Sequence, residues 1–62
     1  MDFTRNHPDF HEKLARTLLA QDEEICEDVD VLIQYLHVHP SEIDYFMDEY
    51  NLSMDDVEDE IL

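Results

Sequence analysis

From residue 21 to residue 62 the chain carries fifteen Asp and Glu residues and no Lys or Arg. Segments of that composition cannot be zipped together by ion pairs of their own. Every carboxylate has to reach water, and cohesion has to come from apolar contact. Residues 1–20 hold all three basic residues (Arg5, Lys13 and Arg16) against Asp2, Asp9 and Glu12, and they sum to zero. The whole net charge of −15 therefore sits on the remainder. Acidity on this scale marks many disordered chains. Here 44% of the residues are hydrophobic and they recur with a helical period, so the expectation is a folded, strongly polarised molecule.

Sixty-two residues make one domain at most. A chain of this size buries only about 60% of the surface that its unfolded form exposes, so its core is small. The single cysteine, Cys26, excludes an internal disulfide and suggests a reducing compartment, the cytoplasm of a bacterium or of a host cell. No apolar run approaches a membrane span and no signal-peptide pattern opens the chain, which fits a soluble protein.

The spacing predicts an all-α fold, a small bundle of three to four short helices over about residues 8–20, 22–37, 40–50 and 53–61. Pro8 suits a first helical position, and Phe10, Leu14 and Leu18, widened by Ala15 and Leu19, form the stripe of the first helix. Asp22, Glu23 and Glu24 suit the start of the second helix, whose stripe is Ile25, Val29, Leu32, Ile33 and Leu36. His39 or Ser41 caps the third helix, with Pro40 in its first turn and Ile43, Phe46, Met47 and Tyr50 inward. Asn51 is suited to a left-handed stop. Ser53 then caps a fourth helix, Asp56 takes the place of the usual capping-box Glu or Gln, and Leu52 and Val57 occupy the staple positions. That helix turns Val57 and Ile61 inward.

Phe46, Met47, Tyr50, Leu52 and Val57, with Ser53 opening the second segment, give an outline that resembles a DNA-reading helix-turn-helix. The resemblance covers about a quarter of the chain and lacks the usual turn glycine. It implies a second helix lying in the DNA groove, and the charges contradict that. Affinity for DNA comes largely from Lys and Arg displacing counterions from phosphates. The would-be reading helix carries Asp55, Asp56, Glu58, Asp59 and Glu60 and no base. Direct nucleic-acid binding is excluded on this ground.

The same charges suggest the opposite partner. On helices, Glu23/Glu27, Glu24/Asp28, Asp44/Asp48, Asp55/Asp59 and Asp56/Glu60 would stand one turn apart, about 5–6 Å between Cβ atoms, where like charges repel. Glu49 and Glu58 add to these rows, and Tyr45, set between Asp44 and the Asp48/Glu49 pair, suits an interface anchor. An array of carboxylates without cations is a rough electrostatic copy of a phosphate backbone and would attract the basic cleft of a nucleic-acid-binding protein. As a functional class the chain resembles the DNA-mimic inhibitors of phages and bacteria. A repressor, a nucleoid protein, RNA polymerase or a nuclease would serve as partner. The alternative is a helical interaction or dimerisation module whose acidity only solubilises it or adapts it to a saline cytoplasm. A homodimer is compatible with either, through Tyr35 or the neutral first helix.

Other chemistry finds little support. His7/His11 and His37/His39 would have to converge to hold zinc, and the Asp28-x-Asp30 pattern lacks the glycine and closing glutamate of a calcium loop. Neither a metal nor a cofactor is expected. Cys26, surrounded by acids, lacks the cationic neighbours that activate a thiolate nucleophile. With no glycine there is no phosphate-cradling loop. Stoichiometric binding, and not catalysis, is the expected mode of action.

Overall fold

The computed structural model describes residues 5–59, the last by its backbone alone. Glu60, Ile61 and the side chain of Asp59, all named above, lie outside the described residues. The described chain is all-α: α1 (Phe10–Gln21), a 3-10 turn (Glu23–Ile25), α2 (Val29–Val38), α3 (Pro40–Glu49) and α4 (Met54–Asp59). The first helix is the central element, packing on α2, on α4 and on the 3-10 turn, while α3 packs on α2.

Its stripe explains that position. Phe10, Leu14, Ala15 and Leu18 are buried, and Leu32, Leu36, Ile43 and Val57 close over them from the other three helices. Each fully buried side chain of this size contributes about 1.5–3 kcal/mol. Thr17 is the one buried polar residue among those described, and its hydroxyl donates to the Lys13 carbonyl at 2.8 Å. The stripe of α1 is thus spent on the core and is not free for a second copy.

Two boundaries differ from the sequence reading. The first helix begins at Phe10 and not at Pro8, because the Phe10 N–H is taken by the His7 carbonyl in a preceding turn and the Asp9 N–H by His7 Nδ1. The larger correction is at 22–37. There the expected single helix is a 3-10 turn, an extended link through Cys26 and Asp28, and then α2. Asp22 accepts from the Glu24 N–H and Asp28 from the Asp30 N–H. Each aspartate offers nearby amides a local partner that competes with the helical ladder. Six acids occupy residues 22–30, and a continuous helix would stack several of them one turn apart, at a cost that the break avoids. The Glu23/Glu27 and Glu24/Asp28 pairs are consequently not helical neighbours. Asp28 does not lie within a helix but caps one.

The second half follows its punctuation. Pro40 opens α3 with His39 at its cap. The helix ends in a Schellman motif: Leu52 N–H donates to the Met47 carbonyl at 2.8 Å and Asn51 N–H to that of Asp48 at 3.3 Å. Asn51 takes φ 58°, the left-handed conformation that asparagine tolerates better than most residues. The capping box then forms reciprocally. Ser53 N–H donates to Asp56 Oδ2 at 2.9 Å, and Asp56 N–H donates back to Ser53 Oγ at 3.3 Å. Val57, fully buried, fastens α4 to the core.

Since α4 is a helix of six residues and Val57 is its one fully buried side chain among those described, its attachment should fail readily. Ser53→Ala should cost about 1 kcal/mol and Val57→Ala about 2 kcal/mol, measured by urea unfolding followed by helical circular dichroism.

Candidate protein-binding surface

The acids after residue 20 divide into those that hold the backbone and those that do not. Asp22, Asp28 and Asp56 are caps. Asp44 accepts from Arg5 at 2.8 Å in a solvent-exposed ion pair, worth at most about 1 kcal/mol. The side chains of Glu23, Glu24, Glu27, Asp30, Asp48, Glu49 and Asp55 are exposed and have no hydrogen bond or ion pair among the described residues. Glu58 is half-buried on α4. Asp30 belongs with the free carboxylates, although spacing alone gave no reason to single it out.

One long-range contact organises this surface. The Tyr50 hydroxyl donates to Asp22 Oδ2 at 3.4 Å across 28 residues of sequence. It sets the end of α3, with Asp48 and Glu49, against the start of the first acidic segment, with Glu23 and Glu24. The tight turn through Asn51 then carries the chain directly into Asp55 and Asp56. Asp22 and Glu49, distant in sequence, thereby both stand near the Tyr50 phenol. Burial, and then the Asp22 carboxylate, hold the Tyr50 phenol above its usual range, so it stays protonated and donates. No spacing rule signals a pairing over that separation.

Tyr45 is 55% exposed on α3, its ring edge-on to Phe46 at 5.4 Å, and Asp44 and Asp48 stand one turn apart on the same helix. The helix-turn-helix outline yields a different packing: α4 lies against α1, not α3, and Val57 points into the core.

The histidines partly converge. The rings of His11 on α1 and His37 on α2 meet edge to face at 5.3 Å, and Phe10 also meets His11 edge to face, at 5.5 Å. His39 turns instead to Tyr35, 4.8 Å away. Among the described residues no group of three or more His, Cys, Asp and Glu is arranged to hold a metal. The Cys26 thiol, half-buried, donates to the Asp28 carbonyl at 3.2 Å. None of the described helices is long and apolar enough to cross a membrane.

Comparison with family models, with curated proteins and with solved structures finds no match for the chain.

The His11–His37 contact makes a pH prediction. Burial first, then the facing His37 and the Arg5 guanidinium, lower the His11 pKa below its ordinary 6.5. A lowered value means that the unfolded chain binds the proton more readily. The contribution of His11 to stability is full above pH 6.5 and is lost as pH falls through the lowered folded value. His11→Gln should therefore flatten the fall of the urea midpoint as pH drops below 6.5 relative to wild type. Parallel curves would contradict this account.

Proposed function

We propose that the protein acts by stoichiometric binding as a DNA mimic, occupying the basic nucleic-acid-binding surface of a partner protein with its own carboxylates. The observation that carries this reading is the set of exposed carboxylates that have no hydrogen bond or ion pair among the described residues. Glu23, Glu24, Asp48, Glu49 and Asp55 present their charge to solvent in this way, and the Asp22–Tyr50 hydrogen bond ties the first acidic segment to the end of α3. Such a field steers a basic partner at long range and repels DNA itself. Tyr45 adds an exposed aromatic anchor among the acids, of the kind that carries binding energy once desolvated. Carboxylates already engaged as caps are also pre-oriented, so less side-chain freedom is lost when a partner arrives.

The test is capture from lysate on the immobilised protein, followed by elution with a salt gradient. A mimic retains a nucleic-acid-binding protein at low ionic strength, loses it as screening shortens the Debye length from about 30 Å to about 3 Å, and releases it to added duplex DNA. Because Asp56 holds the α4 cap, the informative variant is Asp48→Asn, Glu49→Gln and Asp55→Asn together, which spares the caps. It should elute at clearly lower salt with unchanged helical circular dichroism. Retention that ignores both salt and these substitutions would overturn the mimic reading.

A further inference from the structure

The outer face of α2 is apolar and uncovered. Val31 and Val38 are 56% and 59% exposed, and Tyr35 is 40% exposed. Val31 and Tyr35 also wall a cleft of about 300 Å³ with Ile25, Cys26 and Phe46, and together with Gln34, Val38 and His39 they line a second hollow. The two hollows share residues and form one continuous surface. No Asp or Glu lines either of them.

We propose that this face is the docking site for a second copy of the chain, α2 against α2, antiparallel about a two-fold axis near Gln34 and Tyr35. The pattern on the helix supplies the first argument. Val31, Gln34, Tyr35 and Val38 stand at i, i+3, i+4 and i+7, a spacing that is unchanged when the helix is reversed. An antiparallel copy sets each Val31 opposite a Val38, twice, with the Gln34 and Tyr35 side chains at the centre. That self-complementarity is what an isologous interface requires.

Charge supplies the second argument. Each copy carries −15, so approach over the acidic segments is opposed, and the α2 face is a window through which two such molecules can meet. A basic partner gains nothing electrostatically from an uncharged face. Area supplies the third. A stable interface covers about 800 Å² per partner, roughly a fifth of the 4378 Å² surface of the chain. Ten helical residues span only about 15 Å, so the interface has to include the adjoining cleft at Phe46 as well as the α2 stripe. The proposal does not rest on the DNA-mimic reading.

Sedimentation equilibrium on the purified full chain tests it. The molar mass should rise with concentration from 7.5 kDa toward twice that value. Association should tighten with added salt, which screens the mutual repulsion and leaves the apolar contact intact. This is the reverse of the salt response expected with a basic partner, so the two readings fail separately. Val31→Glu with Val38→Glu, at exposed positions that do not support the core, should weaken self-association by about tenfold or more while helical circular dichroism is retained. Gln34→Cys in a Cys26→Ser background should give a disulfide-linked dimer on mild oxidation, placing the axis. A 7.5 kDa species at every concentration and salt, or a dimer unaffected by the paired Glu substitutions, would overturn the proposal. So would a monomer in which those substitutions reduce capture of a different protein.

Discussion

The described chain gathers on the apolar stripe of α1, with the 3-10 turn, α2 and α4 packed directly on that helix and α3 held through α2. Phe10, Leu14 and Leu18 share one core with Leu32, Leu36, Ile43 and Val57, and the acidic two-thirds of the chain has no Lys or Arg with which to hold itself together. The division of labour is sharp. A near-neutral first segment supplies the surface on which a like-charged remainder condenses, and apolar burial must exceed the repulsion among the carboxylates. Shortening the acidic segments into helices of ten, ten and six residues, separated by caps, limits how many like charges stack along one helix face.

Some of the carboxylates have a structural part in that arrangement. Asp22, Asp28 and Asp56 satisfy backbone amides at the starts of the 3-10 turn, α2 and α4, and Asp22 serves twice by also accepting from Tyr50. The negative charge at these positions complements the positive ends of the peptide dipoles. Part of the acidity is therefore explained by local structure. The exposed carboxylates of Glu23, Glu24, Glu27, Asp30, Asp48, Glu49 and Asp55 have no such structural part among the described residues.

Much of the architecture was legible in the residues. Phe10, Leu14 and Leu18 declare α1 by period alone; Pro40, Asn51 and Ser53 punctuate the second half through chemistry specific to those side chains. The break at 26–28 was not legible from period, because Ile25, Val29 and Leu32 keep helical spacing straight through it. What decides there is the competition of Asp22 and Asp28 for nearby amides, a local effect that hydrophobic pattern does not register. The acidic surface was legible as a set of exposed charges, since Asp and Glu go to the surface. The Tyr50–Asp22 contact was not, because it is a tertiary hydrogen bond between residues far apart in sequence. The second stripe of α2, Val31, Tyr35 and Val38, was visible in the spacing but was masked by the stronger stripe of Leu32 and Leu36 on the same helix.

The seating of α4 on α1 has a bearing on the order in which the molecule assembles. Val57 belongs to a helix that packs on α1, which ends at Gln21, so this closes the longest loop among the packed helix pairs, whereas α1 with α2 and α2 with α3 are neighbours along the chain. Loop-closure entropy rises with the length closed, and contacts between adjacent elements form first. The docking of α4 is accordingly the late step in folding and the early one in unfolding. A chain without glycine has fewer backbone states to surrender at each step, which eases the late closure of a core this small.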